Sequence, residues 1–286
     1  MKKLKWFLIN LQIWIACFDY TITFFVIPVL LLPTFMGFPL GILKYVNVNF
    51  VLPSLLGLIF LGYVLVSIVA IFENQFHTIL TISRVTNWTK WRRPCLIFHY
   101  VLVFLGVSSF IFFVPEQEGA VQRALQRIPC LPSYVFDRTL YVFAEQSAYH
   151  ITLFSIFNIL VSVEVFILMK LLVQNVREQM KDRRMSTKTY KLQKKLFIAL
   201  AIQSFLPLTL IVIPCIYTLI MVIFEYYNQA YSSVALIMGS LHGIISTLVM
   251  LFIHHPYREA MRMSFFGKNG LGIRRNTVLI SSVVPT

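Results

Sequence analysis

Two carboxylates, Asp19 and Glu164, fall inside long apolar stretches, where a charged group most needs a chemical reason. An ionised side chain in a membrane-spanning helix costs about 2.5 to 3.5 kcal/mol on insertion scales. A functional interpretation makes these residues ion-coupling or switch groups. A structural interpretation, which we favour, is that Asp19 hydrogen-bonds a neighbouring helix and that Glu164 reaches the inner interface or Lys170.

Three histidines, His99, His150 and His242, also lie in apolar stretches. Metal binding or proton relay would need a second ligand or base close by on the same helix. None of the three has a histidine or a carboxylate three or four residues away. We therefore expect each ring to lie in a helix interface and to hydrogen-bond locally.

An enzyme would need a nucleophile with a base, paired carboxylates or an acidic cluster, and the sequence shows none of these patterns. Only 11 Asp and Glu residues are present. The four cysteines, at 17, 95, 130 and 215, have neither a CxxC motif nor metal-ligand spacing. We predict that the protein is not an enzyme and that it binds no cofactor and no metal.

The composition is that of a membrane protein. Hydrophobic residues make up 58% of the 286 residues, charged residues 13%, and the mean hydropathy is +0.77. The net charge of +14 does not indicate nucleic-acid binding, because the basic residues lie between apolar stretches, where they orient a protein in a bilayer.

Apolar stretches long enough to cross a bilayer predict an all-α bundle of six transmembrane spans. A cleavable signal peptide is not predicted, because the first apolar stretch is too long and lacks a small-residue cleavage site. In that first span, Pro28 and Pro33 fit a kink and a stop near the outer end. The predicted spans are about 6–33, 50–72, 94–114, 149–169, 196–224 and 232–253, followed by a tail at 254–286.

Lys and Arg are distributed unevenly among the segments that join these spans. The N-terminus, 73–93, 170–195 and the tail carry 21 of the 25 basic residues, and the three intervening segments carry 4. The positive-inside rule therefore places both termini in the cytoplasm, which an even number of spans also requires. The sequon at Asn87 then lies on the cytoplasmic side, and we expect it to be unmodified.

Three clusters at the predicted cytoplasmic surface indicate a docking face. They are the Glu-Asn-Gln sequence that ends the second span, the basic segment 170–195, and the His-His-Pro-Tyr-Arg exit of the last span. Lysines alone would serve as lipid-headgroup anchors, but the joint placement favours a protein partner. The residues expected to contact it are Glu73, Asn74, Gln75, Lys194, Lys195 and Arg258.

Several motifs together resemble one family, the nematode serpentine receptors of class h. The long, specific segments are MSTKTYKLQKKLFIALAIQ at 185–203 and LHGIISTLVMLFIHHPYREA at 241–260, joined by FEN at 72–74 and CLP at 130–132. The opening MKKLKWFLINLQIWIACFDY also resembles the family, at its second helix. The resemblance covers nearly the whole chain.

The resemblance implies a seven-helix chemoreceptor similar to G-protein-coupled receptors, located in the plasma membrane of sensory neurons. Its partners would be an environmental ligand and a heterotrimeric G protein. The sequence departs from the family pattern in two ways. Family members have an additional first span, and we expect that this helix is missing here through a shortened gene model or a degenerate gene, so the six spans would be helices two to seven. Gln75 stands where the family usually has an arginine, which an amide does not replace.

These observations lead to one hypothesis and one alternative. The hypothesis is a chemoreceptor whose ligand pocket lies in the outer half, between the second, fourth, fifth and sixth spans. The alternative is a transporter or a channel, although no internal repeat with paired broken helices is visible. An opsin is excluded because the last span has no lysine to form a Schiff base. Particular ligand contacts are not assigned.

Overall fold

The computed structural model describes residues 2–46, 49–80, 88–128, 131–181, 186–253 and Arg258. Within these residues the α-helices are α1 (Lys2–Tyr20), α2 (Val51–Leu80), α3 (Trp88–Ser108), α4 (Gln117–Arg127), α5 (Ala148–Lys181), α6 (Thr187–Ile223) and α7 (Gln229–Ile253). A π-helix, Thr21–Val26, continues α1, and 3₁₀ turns occupy Ile42–Tyr45, Ser109–Phe113 and Ser133–Val135. The strands are β1 (Pro28–Leu31), β2 (Met36–Pro39) and β3 (Tyr141–Val142).

The long helices form a transmembrane bundle. In the described part of the chain, α1 with its π-helical continuation, α2, α3, α5 and α7 are long and apolar enough to cross a membrane. Helix α6 is 37 residues long and contains a shorter apolar segment, Leu208–Ile223. The predicted all-α transmembrane architecture is confirmed.

Helix α2 is the centre of the bundle. In its apolar stretch 78% of the residues are buried, against 11% in α3 and 22% in α5 and α7. It packs against α1, α3 and α5, whereas α6 packs chiefly against α7. The largest core cluster joins one face of α2 to its neighbours and includes Leu8, Leu11, Ile15, Val64, Leu65, Ile68, Phe72, Val161 and Val165. The apolar outer faces of the other helices are left to lipid.

The two ends of the bundle differ in structure. At one end, here named the basic end, α1, α3 and α6 begin and α2, α5 and α7 end. The opposite end, named the capped end, is covered by a three-stranded antiparallel sheet in the order β1-β2-β3 and by α4. The cap has its own core, formed by Leu31, Met36, Phe38, Ala120, Ala124, Ile128, Val135 and Val142.

Local contacts explain why the cap folds this way. The Gln117 side chain fixes the short strand β3, since its Oε1 accepts from Val142 N at 2.9 Å and its Nε2 donates to Val142 O at 3.2 Å. In the hairpin, Gly37 lies so close to β1 that a Cβ would stand 2.5 Å from the Val29 carbonyl oxygen. Only glycine allows this approach.

Two expectations about the spans are corrected by the structure. The first span does not continue as a helix to Pro33, because the chain leaves the helix after Val26 and Pro28 begins a strand. The apolar residues there pack into the cap, where Leu31 is fully buried. The second span does not end before Glu73, because α2 continues as far as Leu80.

Candidate functional site

A cavity of about 320 Å³ lies in the capped half of the bundle, between α1, α2, α5, α6 and α7. This volume is at the lower end of the range of about 300–1,000 Å³ that is typical of small-molecule sites. The wall is largely apolar, and none of the described residues that form it is an acid, a lysine or an arginine. Its polar members are Ser54, His150, Ser155, Thr218, Ser232 and Ser240, together with the free thiol of Cys215.

His150 is the most polar group in this wall. It stands in the first turn of α5, is 6% exposed, and is surrounded by aromatic rings. The Phe110 ring centroid is 4.4 Å away, and those of Phe113 and Phe35 are at 5.7 and 6.2 Å. Within the part of the chain that the structure describes, neither ring nitrogen has a hydrogen-bond partner. The Gln146 carbonyl, one turn earlier, interacts with the ring without meeting hydrogen-bond geometry.

Below the cavity, α1 and α7 meet at Asp19 and His242. The fully buried His242 ring donates from Nδ1 to the Gly239 carbonyl at 2.7 Å, and its Nδ1 is 3.9 Å from Asp19 Oδ1. The carboxylate packs so closely on Gly243 that a Cβ there would overlap Oδ2. Among the described residues, Asp19 Oδ1 and His242 Nε2 have no hydrogen-bond partner. Asp19 therefore contacts the neighbouring helix by packing rather than by the hydrogen bond that we expected.

Further hydrogen bonds join the helices near mid-membrane. Gln12 of α1 donates to Thr247 of α7 at 2.7 Å. The Asn10 amide donates to Ser67 of α2 and to Tyr100 of α3, both at 2.9 Å. These side chains are uncharged, so the search for ionisable residues in the sequence passed over them.

Glu164 pairs with His99 of α3, at 3.0 Å between Oε2 and Nε2, whereas we expected it to reach the inner interface or Lys170. His99 Nδ1 also donates to the Cys95 carbonyl at 2.8 Å. Both nitrogens therefore face acceptors, and one proton must be shared between the Nε2 and the carboxylate. The described His, Cys, Asp and Glu side chains form no group of three or more that could hold a metal ion.

At the basic end, Arg92 of α3 reaches across to α2. Its Nη2 and Nε donate to Glu73 Oε2 at 2.9 and 3.2 Å, and Nη2 also donates to Asn74 Oδ1 at 3.3 Å. Nη1 donates to His77 Nδ1 at 3.2 Å. The Arg92 and Glu73 side chains are 14% and 5% exposed, so this charge-assisted contact between α2 and α3 is nearly buried. We name the Arg92 guanidinium, with its partners Glu73, Asn74 and His77, the plug.

The model of the family described as serpentine type 7TM GPCR chemoreceptor Srh matches residues 1–267. The chain belongs to the Srh family of serpentine chemoreceptors. It is similar to serpentine receptor class H-72 of Caenorhabditis elegans, with 24% identity over 268 residues, covering 93% of this chain and 76% of the relative. No solved structure matches the chain.

This Srh protein buries three of the six residues expected to face a G protein. Glu73, Asn74 and Gln75 are 4%, 3% and 6% exposed. The other three, Lys194, Lys195 and Arg258, are exposed. The structure therefore divides the expected docking residues into a buried group on α2 and an exposed basic group.

Some sequence predictions fall on residues outside the described part of this Srh protein. They concern the sequon at Asn87, Cys130, the exit at 254–257 and the tail from 259 onward. Sequence reasoning missed the contact between Arg92 and Glu73. A signal existed, because a basic residue next to a predicted span could compensate for the charge of Glu73.

Proposed function

We propose that this Srh protein is a chemosensory receptor that binds a small environmental molecule in the cavity and signals through a heterotrimeric G protein at the basic end. One observation carries the proposal. The helices α2, α6 and α7, which line the cavity in the capped half, also lead to all six expected docking residues at the basic end. A shift of these helices around a ligand would therefore also change the arrangement of the docking residues at the basic end.

The distribution of charge supports the orientation that this proposal needs. The basic end receives the segments with 21 of the 25 Lys and Arg residues, which favours the cytoplasm. The cavity then faces the outside of the cell under its cap, and the C-terminal tail is cytoplasmic. We place the protein in the plasma membrane of sensory neurons, as the class of receptor implies.

The contacts define the resting arrangement. Packing of Asp19 on Gly243 and the Gln12 to Thr247 hydrogen bond hold α7 against α1. Arg92 keeps the α2 docking group buried. A ligand that binds better to an arrangement with α6 and α7 displaced would shift the population toward it. Pro214, which lies in the cavity wall inside α6, provides a place for that helix to bend.

The test is nucleotide exchange in a reconstituted system. The full chain in nanodiscs is mixed with a G protein, and GTPγS uptake is measured with and without a panel of small odorants. We expect at least one compound to accelerate uptake. Ala235→Phe, which fills the cavity from α7, should abolish the response, while Val234→Phe on the exposed side of the same helix should keep it. Protein-dependent flux of a compound across vesicles without nucleotide exchange would instead support a transporter or a channel.

A further inference from the structure

We propose that His150 is the hydrogen-bonding anchor of the cavity and that the cavity takes an uncharged, largely apolar small molecule with one hydroxyl or carbonyl group. This inference rests on the proposed ligand-binding function and adds the chemical class of the ligand. It starts from a mismatch: a strongly polar ring is buried in the wall of an apolar cavity and has no hydrogen-bond partner among the described residues.

A buried polar group without a partner is destabilising, and a ligand that supplies the partner removes that cost. A neutral imidazole has one donor nitrogen and one acceptor nitrogen. The interaction with the Gln146 carbonyl engages at most one of them. A hydroxyl group on the ligand pairs with either nitrogen, and a carbonyl group pairs with the N–H.

Three of the six other polar groups in the described wall are already occupied. Ser54 donates to the Phe50 carbonyl at 2.9 Å, Ser240 to the Ile237 carbonyl at 2.8 Å, and Ser232 to the Asn228 carbonyl at 3.1 Å. Each of these hydroxyl protons is used within its own helix or turn. The hydroxyl groups of Ser155 and Thr218 and the thiol of Cys215 complete the polar part of the wall.

The rest of the wall defines what else the ligand must be. The described residues of the wall include no opposite charge for an ionised ligand. Transfer of such a ligand from water into the cavity would therefore cost much free energy. The aromatic rings of Phe35 and Phe110 flank the imidazole and confine the polar spot to a small area. A volume of about 320 Å³ limits the ligand to a small molecule.

The experiment uses four compounds with seven carbons each: heptane, 2-heptanol, 2-heptanone and heptanoate. Binding to the full chain in nanodiscs is measured by equilibrium dialysis, with empty nanodiscs as the background. For each compound the readout is the ratio of the Kd of a variant to that of the wild type, which cancels differences in partitioning. We expect His150→Phe to raise this ratio about 2- to 10-fold for 2-heptanol and 2-heptanone and not for heptane.

Two further variants test the role of the ring. His150→Gln keeps a donor and an acceptor, so it should recover part of the affinity for 2-heptanol. Val234→Phe, on the exposed side of α7, should leave every ratio near one. Since His150→Phe replaces an unpaired polar ring by an apolar one of similar size, its Tm without ligand should equal or exceed that of the wild type.

Four results would overturn the inference. They are equal ratios for heptane and 2-heptanol in His150→Phe, a loss reproduced by Val234→Phe, tighter wild-type binding of heptanoate than of 2-heptanol, or no binding above empty nanodiscs. A Tm of His150→Phe well below the wild type would also contradict it, because the ring would then have a structural partner. Binding that depends on His150 but causes no nucleotide exchange would instead refute the proposed function and leave the inference intact.

Discussion

The capped half and the basic half of this bundle treat buried polar groups in opposite ways. In the capped half, the buried His150 ring lies in the cavity wall and lacks a hydrogen-bond partner among the described residues. In the basic half, Arg92 fills the space between α2 and α3 and donates to Glu73, Asn74 and His77. One half has an unpaired polar ring beside a cavity, and the other is closed by its own side chains.

This difference has an energetic meaning. Leaving a buried donor or acceptor unpaired costs about 1–3 kcal/mol, which a ligand can return on binding. A nearly buried ion pair resists opening, because separating its charges in a poorly solvated interface is costly. A receptor that rests in the inactive state needs both properties, one at each end of the same helices.

Breaking the plug should have the largest effect on stability. Arg92→Gln leaves the Glu73 carboxylate buried without its guanidinium, and removal of one partner of a buried pair costs about 3–5 kcal/mol. We expect a lower Tm and a higher basal rate of GTPγS uptake. The matched control is Arg123→Gln at the capped end, which breaks a half-exposed pair with Glu145 and should cost only about 0–1 kcal/mol.

The double variant Glu73→Gln with Arg92→Gln sharpens this prediction. It removes both charges, so part of the lost stability should return while the basal uptake stays high. If Arg92→Gln proved no more destabilising than Arg123→Gln, the plug would not close the basic half.

A smaller loss is expected where α7 packs on α1. Gly243→Ala places a methyl group on the Asp19 carboxylate, and overpacking of this kind costs about 1–3 kcal/mol. Gly239→Ala, one turn away on the same helix, meets nothing within 4 Å and should be neutral or slightly stabilising. Thermal unfolding of the two variants gives the comparison. Equal melting temperatures would show that α7 is not held at this point.

Filling the cavity should affect binding and leave stability nearly unchanged. In Ala235→Phe the new ring occupies space that the ligand needs, so the affinity for 2-heptanol should fall at least about tenfold, a cost of about 1.4 kcal/mol. Val234→Phe, which adds its ring on the exposed side, is the control. Unchanged affinity in Ala235→Phe would place the binding site elsewhere.

The smallest effect on stability is expected at the exposed lysines of α6. Replacing Lys194 and Lys195 by Gln removes two charges that a G protein would meet first, so nucleotide exchange should slow most at low salt. Stability should change by less than about 0.5 kcal/mol. Arg138→Gln, an exposed charge at the capped end, should leave exchange unaltered. Equal slowing in both variants would argue against a docking role for the basic end.

The sequence predicted the helical bundle well, because a membrane-spanning helix can be recognised from the apolar composition of its own residues. Apolar runs of about 20 residues have few alternatives to a helix in a bilayer. The same rule failed at Pro28–Leu31, since a strand that packs into the cap is as apolar as a helix in lipid. It also ended the second span too early, because Glu73 is accommodated within α2 by a guanidinium from α3.

The cavity and the plug could be predicted only in part, for a physical reason. His99, His150 and His242 look alike in the sequence, yet one pairs with Glu164, one faces the cavity and one lies beside Asp19. Those partners are distant in sequence, so spacing along the chain carries no information about them. The docking role of the six expected residues stays a prediction. The structure shows that three of them are buried on α2 and that the three basic ones are exposed.

The most direct test of the account is the ligand-dependent exposure of residue 75. Gln75→Cys is introduced into a chain whose four native cysteines are replaced, and its reaction with a water-soluble maleimide is timed in nanodiscs. Because Gln75 is 6% exposed at rest, labelling should be slow without ligand. It should accelerate at least about tenfold when 2-heptanol occupies the cavity, and Ala235→Phe should prevent the acceleration. Labelling that is equally slow with saturating ligand would contradict the claim that the cavity controls the basic end.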